Sequence, residues 1–257
     1  MTNTMLAAQM YTLREYTQSY DGIDQAFAKV KAMGYQAAQM SGWSGVTPQQ
    51  LKELADKHGL ILCATHVSFD DIVSRTEETI ANHKLWGTHY VGLGAMPAEF
   101  RGSREGALAF CKAIAPAAKK IADAGLMTIY HNHHFEFTRC GDRTVLDILM
   151  ENTDPDSFQF EVDTYWVTAG GGDPIDWIRK MKGRMDVVHF KDMVYDPAAN
   201  GSVFAEIGQG NLNWTGILSA CGEIGVKWHI VEQDVCKGSP FDSLATSYRY
   251  LQKLGLR

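Results

Sequence analysis

Imidazole and carboxylate side chains gather at the ends of four short apolar runs in the second half of this chain. MTIYHNHHFEF (Met127–Phe137) carries His131, His133 and Glu136, and FQFEVDTYW carries Asp163. VVHFKD carries His189, Lys191 and Asp192, and WHIVEQD carries Glu232 and Asp234. Such groups move protons near neutral pH or hold a divalent cation. A mixed oxygen and imidazole donor set with no thiolate suits Mn²⁺ first, with Co²⁺, Mg²⁺ or Zn²⁺ as alternatives. Buried without a counter-charge, each ionised group would cost several kcal/mol, so four of them at one place call for a cation.

Side chains alternate along a strand, and this tests whether the four runs can converge. Glu232 shares a face with Ile230 and Trp228, Asp163 with Glu161 and Gln159, and His189 with Val187. In the first run His131 and His133 share one face while Asn132 takes the other. Lys191, two residues past His189, also falls on the inner face.

The elements that must position these groups follow from the period of the apolar residues. Strands are predicted at Leu6–Gln9, Tyr35–Met40, Ile61–His66, Tyr90–Leu93, Met127–His133, Phe158–Asp163, Val187–Phe190 and Trp228–Glu232. Each is short and mostly apolar, as parallel strands buried on both faces are. Amphipathic segments lie between them, among them Thr47–His58, where Thr47 reads as an N-cap, Pro48 as the first helical residue and Gly59 as the stop. Gly106–Ala124, Asp173–Met181 and Phe241–Leu254 are further helices. Eight alternations without a Pro/Ser/Gly-rich linker predict an α/β fold, one (β/α)8 barrel spanning residues 1–257. No GxGxxG follows the first strand, which argues against a doubly wound dinucleotide fold.

Composition removes whole classes of function. The chain has 257 residues, 24 Lys plus Arg against 30 Asp plus Glu, and a net charge of -6, with no compact basic cluster. A nucleic-acid partner is not expected. No run approaches the about 20 apolar residues of a membrane span, and the N-terminus lacks the pattern of a signal peptide. Five scattered cysteines form no CxxC pair, so reduced thiols and a cytoplasmic location are expected.

These residues, in this order, resemble the xylose isomerase-like barrel superfamily, in its sugar phosphate isomerase/epimerase branch. The resemblance runs from AAQMYTLRE through GYQAAQMSGW, YHNHHFEF, VVHFKD and GQGNLNW (Gly208–Trp214) to VEQD. It implies one divalent ion held by Glu, Asp, His and Glu from the last four strands, and Asp163, His189 and Glu232 match. Related epimerases place a glutamate at the end of the fifth strand, where this sequence has His131. Oxygen preference selects Glu136, curling back from beyond the strand, as the fourth ligand; strand register selects His131. Related inosose dehydratases carry a His-rich strand at this point.

The expected chemistry is isomerisation or epimerisation of a sugar or keto-sugar through an enediolate. Glu232 would act as base or reprotonating acid, His131 or His133 would work on the other face, and Lys191 would steady the developing charge. The alternative is a lyase that dehydrates or hydrates a keto-sugar or inosose. More distant readings are a DNA-repair endonuclease of the same superfamily and a non-catalytic sugar-binding barrel. Gln9, Trp43, His66 and Trp166 are the candidate substrate contacts. The arginines lie away from the usual phosphate loops, so the substrate is expected to be an unphosphorylated sugar or cyclitol. The loop Ala205–Asn211 is read either as a flap over the ligand or as a loop without that role, and a homodimer is the expected form of any assembly.

Overall fold

Eight parallel strands close into a ring in the computed structural model, which describes residues 5–256. They are β1 (Met5–Gln9), β2 (Ala37–Met40), β3 (Ile61–Val67), β4 (Tyr90–Leu93), β5 (Met127–His131), β6 (Phe158–Asp163), β7 (Val187–Phe190) and β8 (Trp228–Val231). Pairing follows chain order, and β1 shuts the ring against β8, with Leu6 beside His229 and Ala8 beside Val231. The predicted (β/α)8 barrel is therefore the observed fold. The ends of the predicted 1–257 span, residues 1–4 and 257, lie outside the described residues.

Local chemistry explains the helices that wrap this ring. Thr47 and Gln50 exchange reciprocal hydrogen bonds at the start of Pro48–His58, which satisfies the backbone N–H of each. That helix ends at Gly59 with φ +61°, a conformation that costs a residue with a Cβ about 1 kcal/mol or more.

The inner face of the ring has two storeys, built by the two-residue period of the strands. The floor is apolar: Ala7, Ala37, Ala64, Tyr90, Ile129, Val187 and Ile230 form a buried cluster separate from the larger core under the helices. Two residues further along each strand the chain is polar, at Gln9, Gln39, His66, His131, His189 and Glu232, while β6 contributes both Glu161 and Asp163. On β4 the corresponding residue is Gly92. A Cβ there would lie 2.0 Å from the Thr65 carbonyl oxygen and 2.8 Å from the His66 ring, so its absence is what lets His66 lie across the mouth.

Two connections differ from the predicted pattern. β5 stops at His131, two residues before its predicted end, because the chain turns into a short 3-10 segment at Phe135–Phe137. His133 therefore stands beyond the strand and does not share its register. After β7 the chain forms an antiparallel ribbon, Asp192–Asp196 with Gly201–Ala205. The glycine loop that follows is no free flap. Asp192, fully buried, accepts from the backbone N–H of Gly208 (2.9 Å), Gly210 (3.2 Å) and Leu212 (3.2 Å) and from Trp214 Nε1 (2.6 Å).

Candidate metal centre

The polar storey brings one ligand atom each from His131, Asp163, His189 and Glu232 to within 4.8 Å of one another. All four side chains are buried. His131 Nε2 lies 3.0 Å from Asp163 Oδ2, and His189 Nδ1 lies 2.8 Å from Glu232 Oε2 and 3.8 Å from Asp163 Oδ2. Lys191 Nζ, itself 1% exposed, reaches Glu232 Oε2 at 2.8 Å, Asp234 Oδ2 at 2.9 Å and Asp163 Oδ2 at 3.2 Å.

Electrostatics in this cluster set burial against charge pairing. Burial disfavours the Asp163 and Glu232 carboxylates, yet Lys191 first, then the neighbouring histidines, outweigh it and hold both below the usual carboxylate range. Burial likewise opposes the charge on Lys191, and Asp163, Glu232 and Asp234 more than restore it, so its ammonium persists above the ordinary lysine range. For Asp234 burial and the adjacent Glu232 act together, pushing its carboxyl up to about 6. Burial and His189 bring His131 down to about 4, whereas Glu161 and Glu232 overcome burial at His189 and raise it to about 10. Glu161, Asp163, Glu232 and Asp234 thus meet Lys191 and the histidines at close range.

The donor set fits a divalent cation. His131 presents Nδ1 to the Gly94 carbonyl oxygen at 3.1 Å, and His189 presents Nε2 to Gln39 Oε1 at 2.5 Å. Each acceptor needs the ring proton on that far nitrogen, so in the neutral ring the near nitrogen carries a lone pair aimed at a carboxylate oxygen. Lone pair facing lone pair is repulsive unless a positive charge lies between. At His189, raised to about 10, a second proton supplies it in the metal-free chain; at His131, brought down to about 4, no second proton does, and a metal ion would supply it at both. Hydrogen-bonded outer partners of this kind are what a metal-ligating histidine needs.

The structure places Glu136, expected as the fourth ligand, away from this group. Tyr130 faces outward from β5, and its hydroxyl donates to Glu136 Oε1, while the His133 N–H donates to Oε2 at 2.8 Å. Glu136 is thereby held on the outer side of the barrel wall, fully buried, with its carboxyl pushed up to about 8 by that burial. His131, and not Glu136, lies in the buried group with Asp163, His189 and Glu232.

A cavity of about 480 Å³ opens above the cluster and is lined by Lys191, Glu232, Asp234, His66, His131, His133, Trp166 and Phe204 among others. Asp163 Oδ1 accepts from the backbone N–H of Trp166 at 2.9 Å, which fixes the start of the short helix carrying that indole. His133 stacks on Phe135 and leans on Trp166, with ring centroids 5.3 and 5.2 Å apart. Trp43 lines an adjoining cavity of about 300 Å³ that shares His66 as its wall. Gln9, expected to touch substrate, is fully buried, with its amide bonded to the Tyr11 N–H and Gln39, and lies outside the lining of the cavity.

Three residues of the centre were given no role by the sequence reading. Glu161 is fully buried against His66 Nε2 (2.5 Å), His189 Nε2 (3.2 Å) and Gln39 Nε2 (2.9 Å). Burial opposes its ionisation, but His189 and His66 outweigh that and hold it well below the usual range. Its signal was present, since it precedes Asp163 by two residues on the same face. Asp234 was visible as a strand-end carboxylate, but Gln39 carries no charge and gave no signal.

A profile of the xylose isomerase-like TIM barrel family matches residues 27–254. The chain belongs to that family. An inosose dehydratase of Geobacillus kaustophilus (strain HTA426) is 24% identical over 278 aligned positions, covering 93% of this chain and 88% of the relative. Among solved structures, a sugar phosphate isomerase/epimerase from Parabacteroides distasonis superposes with a TM-score of 0.82 at 20% identity, covering 99% of this chain and 96% of that one. An L-ribulose 3-epimerase superposes with a TM-score of 0.76 at 16% identity, covering 98% and 94%. At those identities the two structures show the shared barrel alone. No helix among the described residues is long and apolar enough to cross a membrane.

Proposed function

We propose that this family member is a divalent-metal-dependent lyase that takes the proton beside the carbonyl of a keto-sugar or keto-cyclitol and expels a β-hydroxyl as water. The observation that carries the reading is the placement of two carboxylates on one wall. Glu232 and Asp234 both follow β8, both line the cavity, and Lys191 lies between them at 2.8 and 2.9 Å. A cation held by His131, Asp163, His189 and Glu232 would supply Lewis-acid polarisation of the carbonyl and its neighbouring hydroxyl. Glu232 takes the proton, Lys191 balances the negative charge that develops, and Asp234 returns a proton to the departing hydroxyl. One C–H and one C–O bond break, one C=C bond forms, and water leaves. The inosose dehydratase relative supports this reaction class by its name.

Isomerisation or epimerisation is the second reading, and one observation favours it. β3 and β5 lie across the ring from β8, and His66 and His133 face the cavity from that side. A proton returned there would reach the opposite face of the substrate. Mn²⁺ is the ion proposed for either reaction.

Chelator-stripped protein, with and without added Mn²⁺, incubated in D₂O with a panel of ketoses and inososes, separates these readings by mass spectrometry. The lyase reading expects a product lighter by one water that forms only with metal. Deuterium incorporation without water loss would replace it with isomerisation or epimerisation. Full turnover by the stripped protein would remove the metal, and binding without exchange on every substrate would leave a sugar-binding barrel.

A further inference from the structure

Beside the four proposed ligands, on the same storey, lies a buried chain of amides whose direction has only one consistent assignment. It begins at a group that can only donate, the Tyr11 backbone N–H, which reaches Gln9 Oε1 at 3.2 Å. That contact commits the Gln9 NH₂ to donate, to Gln39 Oε1 at 2.8 Å and, more weakly, towards His66 Nδ1 at 3.5 Å. Gln39 then donates its own NH₂ to Glu161 Oε1 at 2.9 Å. The chain ends at that carboxylate, which as an anion only accepts. Reversing either glutamine would set donor against donor at one end and acceptor against acceptor at the other. Gln9, Gln39 and Glu161 are all 0% exposed, so water cannot repair such a mismatch.

This polarity reaches the metal-facing histidine. Gln39 Oε1 accepts, and it lies 2.5 Å from His189 Nε2, with Glu161 Oε1 3.2 Å from the same nitrogen. Both neighbours require a proton on Nε2. His66 completes the layer: its Nε2 lies 2.5 Å from Glu161 Oε2, so it donates there and leaves Nδ1 as the acceptor facing Gln9.

We propose that Gln39 and Glu161 are positioning residues, which, aligned by Gln9 and His66, fix His189 as its Nε2–H tautomer and so aim the Nδ1 lone pair at the group formed by His131, Asp163 and Glu232. The proposal deepens the metal reading above and rests on it for what Nδ1 meets. It also assigns the trio His66, Glu161 and His189, whose atoms lie close enough to hold an ion of their own, to hydrogen bonding. One ion per chain follows.

Long-range ¹⁵N–¹H correlation spectra of histidine-labelled protein, stripped and then loaded with Zn²⁺ as a diamagnetic probe, read the protonation of each ring nitrogen directly. Calorimetric Zn²⁺ titration and thermal melts accompany them. In the wild type His189 should carry its proton on Nε2 in the loaded form, with one Zn²⁺ bound per chain. Gln39→Met and Glu161→Gln, both close in volume to the residues they replace, should weaken Zn²⁺ binding by about 10–100-fold, the usual cost of losing an outer partner. Their His189 signals should show mixed tautomers.

Wild-type affinity and an unchanged His189 spectrum in both variants would overturn the proposal. So would a second Zn²⁺ in the wild type that disappears in His66→Gln. If the wild type binds no Zn²⁺, the metal reading fails instead. The metal-free His189 spectrum at high pH then still decides the tautomer, since a proton on Nδ1 refutes the chain and a proton on Nε2 upholds it. Variants that do not fold leave the wild-type spectrum as the deciding measurement.

Discussion

Replacing Lys191 with methionine should separate the two cations that this centre can use. Methionine keeps most of the lysine volume and removes the charge, leaving Asp163, Glu232 and Asp234 without the ammonium that lies within 3.2 Å of all three. Breaking a buried ion pair costs about 3–5 kcal/mol, because the surviving charge is stranded away from water. For a chain of this size that loss lowers the melting temperature by about 6–20 °C in metal-free protein. A divalent cation bound to the same carboxylates should recover part of it. Wild-type protein gains about 2.7 kcal/mol at a free Mn²⁺ concentration of 100 times Kd. The variant should gain more at that concentration, because its carboxylates no longer share their charge with Lys191. If the metal recovers an additional ~2 kcal/mol, the thermodynamic cycle requires Mn²⁺ to bind about 30-fold more tightly to Lys191→Met than to the wild type. Melts with and without Mn²⁺, together with calorimetric titration, measure both sides of the cycle. Equal Mn²⁺ stabilisation of the two proteins would refute the reasoning, since the ion and the lysine would then not be bidding for the same oxygens.

Other perturbations test separate parts of the account. His131→Ala should raise the Mn²⁺ Kd by about tenfold or more, whereas Glu136→Gln should leave it within about twofold; calorimetry distinguishes the two assignments of the fourth ligand. The Glu136 carboxyl, raised to about 8 in the folded chain, favours the folded state below its ordinary range, and that contribution is lost as pH rises towards 8. Urea unfolding of the wild type should therefore lose stability between pH 5 and 9 by an increment missing from Glu136→Gln, and parallel pH profiles would contradict this. Asp192→Ala should destabilise the chain by about 3–5 kcal/mol by stranding the N–H groups of the glycine loop, and a loss below about 1 kcal/mol would show that the loop is not held there.

Most of the fold was legible because the strand period is short and its consequences are local. Tyr90–Leu93, Phe158–Asp163 and Val187–Phe190 have the predicted bounds, and Thr47 caps its helix as its neighbours require. Asp163, His189 and Glu232 were found because each stands two residues beyond another inward side chain. The end of β5 was harder to read. Asn132 leaves the strand and its Oδ1 accepts from the Asp163 N–H at 3.0 Å, a contact between chain segments that no local period records. Glu136 was misplaced for the same reason, since its partner Tyr130 faces the helix layer and a reading of the inner face omits it. Glutamines 9 and 39 were opaque in another way: an uncharged amide gains a role only from the polarity of the groups at each end of its chain.

The two storeys of the barrel also explain why the polar groups can be so densely packed without flooding the interior. Ala7, Ala37, Ala64, Val187 and Ile230 seal the ring below them, so the carboxylates meet water only on the side of the cavity. That arrangement keeps the local dielectric low, which strengthens each pairing and raises the penalty for any group left unpaired. On the proposed reading, a substrate carbonyl entering from above would meet carboxylates already held by Lys191. On that reading the apolar floor would act on the chemistry as well as on stability. Ala37→Ser, which adds a hydroxyl beneath Gln39, should lower turnover more than it lowers the melting temperature, and a proportionate fall in both would show that the floor serves packing alone.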